Sequence, residues 1–270
     1  MKQSLSQRLG EFTRLEELAE QNSWIHQRHP AAKLLGTLIY LVCLVSFGRR
    51  EIGALAPMVL YPAVMLAMGE VPLNMLLRRC MVALPFCLFA GCSNLLFDRA
   101  VVSYWGAIPV AGGVLSCLSI VAKTFLSVGA VLLLVAVTPM TDLTEALRRM
   151  RVPAVLIGLF EMTYRYAGTL LEEAGTMSTA YALRAPEKQR VEMRHMGAFV
   201  GSLLLKSFDR AQRVQTAMEL RGWGGGWRQR EPRPMDGRDV CYLLLVGGSS
   251  VLFRLVNIPA LLGRWILCWM

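Results

Sequence analysis

The sequence predicts an all-α polytopic membrane protein, with about five transmembrane helices and long amphipathic helices in a cytoplasmic region. Three observations carry this. Apolar residues fill 54% of the 270 positions and charged residues only 18%, where a soluble domain averages about 25% charged. The mean hydropathy is +0.43, and the apolar residues come in runs of membrane length. The net charge of +10 lies mainly between those runs, as in loops that face a cytoplasm, so the basic excess does not imply a nucleic-acid partner. Disorder and an ordinary cytosolic globule are excluded.

Residues 1–33 read as a cytoplasmic N-terminal segment. They are polar, with Glu11, Glu16, Glu17 and Glu20, and no cleavable signal is expected in them. Leu15, Leu18 and Ala19 suggest a short amphipathic helix, and Trp24 a site near the membrane surface. Residues 34–137 read as transmembrane helices one to four. The first runs from about Leu34 to Gly48 and is short, but Lys33 can snorkel and the Pro30–Ala32 segment can extend it. The second, about Ile52 to Gly69, contains Pro57 and Pro62, which neighbouring helices make tolerable. The third runs from about Cys80 to Phe97 with Pro85 inside. Asp98, Arg99 and the Tyr104–Trp105 pair suggest a polar loop with an interfacial aromatic anchor. The stretch Ile108–Val137 is too long for one upright helix and reads as a long or tilted helix after an apolar loop. Lys123 within it is a charge at membrane depth that snorkels or faces a neighbouring helix.

Residues 138–238 differ in kind: basic residues become frequent and apolar ones periodic. Asp142 and Glu145 are spaced as in a capping box and open a short helix through Arg151. Pro153 starts the next helix, which reaches about Leu183, and Pro186 starts another. In the latter, Met196, Phe199, Val200, Leu203, Ser207, Ala211, Val214 and Met218 follow three-to-four spacing, and Gly222 ends it. Residues 239–270 read as a C-terminal transmembrane helix, from Val240 to about Ala260, with Arg254 at its outer end. With the N-terminus in the cytoplasm, 23 Lys and Arg fall inside, sixteen of them in 138–238, and four fall outside.

The chain lacks GxxxxGK[ST], HExxH and GxSxG, so no ATP-binding loop or catalytic centre is expected. His26, His29 and His195 offer no closed metal-ligand set, and the GWGGGW stretch reads as a flexible turn. The seven cysteines are unclustered in apolar stretches and read as buried, reduced thiols. No cofactor is expected. One feature repeats. Ala182-Leu183-Arg184-Ala185 closes one cytoplasmic helix, and Glu219-Leu220-Arg221-Gly222, with Ala217 just before, closes the next. An Arg there complements the helix dipole. Two such tips could also dock in two equivalent grooves of a two-fold ATPase, since a guanidinium makes several directed hydrogen bonds.

Ser207-Phe-Asp-Arg-Ala-Gln-Arg-Val through Ala217-Met-Glu-Leu-Arg-Gly222-Trp223 resembles the second signature of the T component of energy-coupling factor transporters. Tyr181-Ala-Leu-Arg184-Ala resembles the first, with Ala185 where Gly or Ser is usual. Thr138-Pro139, the stretch from Asp142 to Pro153, and Tyr164-Arg165-Tyr166 through Glu172-Glu173 are similar to the family too. His29-Pro30-Ala-Ala-Lys33 resembles its Asp-Pro-Arg-x-Lys, with His for Asp and Ala for Arg. The run from Leu15 to Lys33 leans toward the cobalt branch, the CbiQ-like proteins, and the resemblance covers roughly residues 12–255.

The resemblance implies a non-catalytic membrane subunit of an ATP-driven importer. It would join two ABC-type ATPase subunits to a substrate-binding S component, among membrane lipid, and transmit ATP-driven motion through its cytoplasmic coupling helices. Arg184 and Arg221 would dock on the ATPases, with Glu219 in the second motif and with Ala182, Ala185, Ala217 and Gly222 allowing close approach. Phe199, Leu203 and Val214 would contact the S component. Cobalt is the first expected cargo, then nickel, then a vitamin. The alternatives are a membrane scaffold or signalling protein with a basic helical cytoplasmic domain, and a conventional importer permease. Paired Arg tips on one chain argue against the permease.

Overall fold

The computed structural model describes residues 23–48, 52–97, 101–105, 108–184, 191–224 and 234–256. Among the described residues helices dominate, with one two-stranded ribbon. Contacts divide the chain into one unit within residues 18–146 and 233–270 and another within 147–232.

The first unit begins with α1 (Pro30–Ser46), in which the Pro30–Ala32 segment does extend the expected span. Pro30 opens its first turn, and the His29 Nδ1 accepts the Ala31 amide at 3.1 Å as a cap. The early start puts Lys33 inside the bundle. Lys33 does not snorkel: its side chain is fully buried, and Nζ donates to the Val137 carbonyl at 3.0 Å and the His26 carbonyl at 3.4 Å.

The second expected span is three pieces, α2 (Ile52–Leu55), a 3-10 turn (Ala56–Val59) and α3 (Leu60–Gly69). Pro57 heads the tight turn, because it has no N–H for an α-helical ladder. The third is α4 (Leu73–Met81) and α5 (Leu84–Phe97), bent by 45°. It does not start at Cys80: helix precedes that point, and Pro85 restarts the ladder in a new direction. Next, β1 (Val101–Trp105) pairs antiparallel with β2 (Ile108–Ala111), Trp105 opposite Ile108 and Tyr104 opposite Pro109. This short ribbon lies where a polar loop and an apolar loop were expected, in a fold that is otherwise helical. Val, Ile, Tyr and Trp favour extended backbone. Asp98 and Arg99 lie outside the described residues.

α6 (Gly112–Val137) is one helix of 26 residues, about 39 Å long at 1.5 Å per residue. Among the described residues it is the one helix long and apolar enough to cross a membrane alone; the α4–α5 pair qualifies only as a bent span, and the other apolar helices of this unit are shorter. α10 (Gly237–Leu255) begins before Val240, because Asp236 caps it and closes a capping box with Asp239. Lys123 and Arg254 both serve the C-terminal end of α1. Lys123 Nζ donates to the Phe47 carbonyl at 2.6 Å and the Gly48 carbonyl at 3.3 Å. Arg254 donates to the Ser46 Oγ and carbonyl, each at 3.1 Å, with its guanidinium over the Phe47 ring. Orphan carbonyls at a helix end attract cations for both dipole and hydrogen-bond reasons.

Two buried clusters hold the unit together. One gathers Met65, Leu133, Val137, Tyr242 and Val246; the other Tyr40, Leu44, Phe47, Leu55 and Met58. Small residues bring helices close: a Cβ on Gly91 of α5 would meet the Cys117 Sγ of α6 at 2.5 Å. The six thiols among the described residues are free but not all buried. Cys43, Cys80 and Cys87 are, Cys117 is half-buried, and Cys92 and Cys241 face outward.

α7 (Met140–Arg149) starts on the Pro139 carbonyl, so Asp142 lies within its first turn and is not the N-cap. It ends in paired bonds, Arg151 N–H to Arg148 O at 3.1 Å and Val152 N–H to Leu147 O at 3.3 Å. Arg151 takes the left-handed position (φ 61°) that glycine usually fills. The second unit is built on α8 (Ala154–Arg184, 31 residues) and α9 (Met193–Leu220, 28 residues). Pro186 lies outside the described residues, and α9 starts at Met193 behind Glu192.

Candidate functional site

The chain order of the contacts between α8 and α9 fixes their direction. The Tyr181 hydroxyl and His195 Nδ1 are 3.1 Å apart, and Glu173 accepts from Lys206. Going down α8 from 181 to 173 means going up α9 from 195 to 206, so the two helices run antiparallel. Their C-terminal tips therefore lie at opposite ends of the pair. Arg184 is one turn past Tyr181, and Arg221 is 26 positions past His195, so about 40 Å of helix separates the tips at 1.5 Å per residue.

Each tip has a sequence cause. α9 ends in a Schellman motif: Gly222 N–H donates to Glu219 O at 2.9 Å and Trp223 N–H to Met218 O at 3.0 Å. The motif needs a left-handed residue at its turn, and Gly222 supplies φ 81°. Arg221 is thereby the C-cap, with its side chain exposed beside exposed Leu220 and Gly222. Glu219 is exposed and accepts from Gln215 Nε2 at 3.0 Å. Ala217 is exposed and, with Asp209, Arg213, Thr216 and Leu220, lines an open trough on the last turns of α9. The spacing of 213, 217 and 221 puts Arg221 in line with that trough. At the other tip Arg184 and Leu183 are exposed and Ala182 is half-buried; Ala185 lies outside the described residues.

Phe199, Leu203 and Val214 are half-buried on one stripe of α9, with Met196, Ser207 and Met218. Along the middle of α9 the exposed large apolar side chains are others: Val200, Leu204 and Phe208 at four-residue spacing, with Leu205 beside them. α8 exposes Val155, Leu156, Leu159 and Phe160 in its first two turns. Periodicity singles out a helix's best-matched stripe, which here is the half-covered one. A second stripe one position along was the available signal for the exposed face.

Charge between the helices is local. Lys206 holds the Glu173 carboxyl below the usual carboxylate range, by its hydrogen bond first and its charge second. Arg165 stacks on the Tyr166 ring and donates to its hydroxyl at 3.1 Å. Among the described residues no three His, Cys, Asp or Glu side chains are placed to hold a metal ion. The histidines are engaged in structure: His26 Nδ1 with Ser23 Oγ at 2.7 Å, His29 as a cap, His195 with Tyr181.

The sequence profile of the family CbiQ, described as cobalt transport protein, matches residues 21–233. A 120-residue stretch is 37% identical to the cobalt transport protein CbiQ of Rhodobacter capsulatus; it covers 44% of this chain and about half (49%) of that relative's length. Longer similarity joins the chain to two proteins called energy-coupling factor transporter transmembrane protein EcfT. The one from Ruminiclostridium cellulolyticum is 24% identical over 86% of this chain and 91% of its own length. The one from Bacillus subtilis is 25% identical over 89% and 93%.

Proposed function

We propose a function on one premise: the chain belongs to the CbiQ family of cobalt transport proteins. It is the membrane-embedded coupling subunit of an energy-coupling factor importer. It carries no active site of its own, and two ABC-type ATPase subunits hydrolyse ATP beneath it. α1, the α2–α3 path, the bent α4–α5 pair, α6 and α10 cross the cell membrane. The N-terminus and residues 138–238 are cytoplasmic, because the basic residues concentrate there. Cobalt is the first cargo to test, then nickel, then a vitamin, held by a separate S component.

One observation carries the mechanism. Two long helices of one chain lie antiparallel and present exposed arginines at opposite ends. A single rigid tip would register the motion of one ATPase. Two tips about 40 Å apart can each seat on one member of a pair, so closure of the pair turns the helices against each other. Arg184 and Arg221 are the docking side chains, with Ala182, Ala185, Ala217, Glu219 and Gly222 as their surroundings. Phe199, Leu203 and Val214 support an apolar face, and the exposed row Val200, Leu204 and Phe208 extends it toward the S component.

The test expresses Arg184→Glu, Arg221→Glu and the double variant with the ATPases, and measures membrane level, ATPase co-purification and uptake together. Both arginines are exposed, so membrane levels should hold. Loss of a filled groove contact should cost about 2–5 kcal/mol of association. Arg221→Glu should be the more severe, because its motif is the fuller match, and the two should not be additive in uptake. Wild-type association and transport in Arg221→Glu would leave only a dipole role for that arginine, and a chain that brings down no ATPase would point to the scaffold reading.

A further inference from the structure

A groove of ≈ 550 Å³ opens on the outside of the first unit, between α3, α10 and the segment before α1. That volume lies in the usual range for a small-molecule site, about 300–1,000 Å³. Its polarity changes along its length. At one end stand Trp24, Arg28 and Arg238; further along α10 and across to α3 the walls are Leu245, Val64 and Met65. From Arg238 to Leu245 the lining descends about 10 Å along the helix. Leu245, Val64 and Trp24 are exposed, so the groove opens sideways along the helices.

The charged end is electropositive for three reasons. Arg238 is exposed at the start of α10. Arg28 stacks on Trp24 at 4.0 Å, its side chain is 10% exposed, and its buried Nε has no hydrogen-bond partner. The N-terminal ends of α1 and α10 both lie there, with positive dipole ends. Asp239 and Asp236 offset part of this: the Asp239 carboxylate is 3.9 Å from Arg28 and accepts the His29 amide, and the exposed Asp236 caps α10. A guanidinium 90% buried with an unused donor, beside an exposed arginine and an interfacial tryptophan, matches a phosphate at a membrane surface. The apolar walls beyond it match an acyl chain. Basic pockets between helices on the cytoplasmic side are one form that anionic lipid headgroup sites take.

The geometry points to a binding site for one anionic phospholipid of the cytoplasmic leaflet, its phosphate on Arg28 and Arg238 and one acyl chain along Val64, Met65 and Leu245. This rests on the membrane placement proposed above and is independent of ATPase docking. The bound lipid would brace the N-terminal ends of α1 and α10 against α3.

The test uses the full chain, purified in mild detergent with whatever ATPase accompanies it, and reads retained lipid by native mass spectrometry. The probes are phosphatidylglycerol and phosphatidylethanolamine with the same chains, and glycerol 3-phosphate. Phosphatidylglycerol should be retained about fivefold better than phosphatidylethanolamine, since each arginine contributes about fivefold and Asp239 and Asp236 subtract. Glycerol 3-phosphate in excess should not displace it, because it has no chain for the apolar walls. Arg238→Gln should lower phosphatidylglycerol retention about fivefold with an unchanged melting temperature. Val64→Trp, which fills the groove, should lower retention of both lipids, and Arg165→Gln should change neither. Equal retention of the two lipids, or full retention by Arg238→Gln, overturns the site. Displacement by glycerol 3-phosphate makes it a free-phosphate site, and loss of a co-purifying membrane subunit from Val64→Trp with lipid unchanged makes it a protein interface; either result also overturns it. ATPase co-purification from the same preparations separates the two ideas: lost association with intact lipid preference faults only the coupling role.

Discussion

The Asp239 carboxylate accepts the His29 amide at 3.1 Å and the Asp236 amide at 3.2 Å, and lies 3.9 Å from Arg28. It therefore ties the starts of α1 and α10 together while nearly buried. In Asp239→Ala those amides and the guanidinium lose their acceptor, at about 3–5 kcal/mol. Asp239→Asn keeps one acceptor oxygen and should cost about 1–3 kcal/mol. Thermal melting of the detergent-solubilised chain checks both; an Asp239→Ala melt equal to wild type would remove the residue from this role. Lys33, Lys123 and Arg254 obey the same logic with opposite sign, each meeting helix C-terminal carbonyls from another helix. Nothing in the local sequence announces these partners, which lie 75 to 208 positions away.

At the scale of single elements, the end of α9 is set by Gly222. Replacing it with Ala forces a Cβ into the left-handed region, which costs about 1–2 kcal/mol, and frays the turn that carries Arg221. No atom would meet that Cβ, so the effect is conformational. Gly222→Ala should keep its membrane level and lose ATPase co-purification; retained co-purification would show that the cap does not position Arg221. The α8–α9 contact has a pH signature. The Glu173 carboxyl is held low by Lys206, so this contact contributes fully above the ordinary carboxylate pKa. It is lost as pH falls through the lowered folded value. Spin labels on α8 and α9 should report a constant separation from about pH 8 to 5 and a broader one near pH 3. Glu173→Gln should be broad throughout, with no response to pH; a response that survives the substitution assigns it to another group. The pair is exposed, so the change should be modest.

For the whole molecule, the orientation proposed from basic residues has a direct check. Cysteines placed singly at 99 and 190, in a background without the native seven, meet an impermeant thiol reagent in intact cells. Position 99 should label and 190 should not; the reverse pattern inverts the topology. The sequence by itself determined the helical elements with their approximate bounds, the family, and the position of both Arg tips. Those depend on local causes: runs of apolar residues, prolines that break ladders, and a glycine that only a left-handed turn requires. It misjudged elements whose conformation depends on a partner. The ribbon at 101–111 needs two strands to satisfy its backbone, and each alone reads as loop. Only the tertiary structure decided that Lys33 is a buried cap, that Lys123 and Arg254 meet at one helix end, and that α8 and α9 run antiparallel. Residue spacing carries one helix's own face, whereas a charge's partner and a helix's direction are fixed by contacts between segments far apart in the chain.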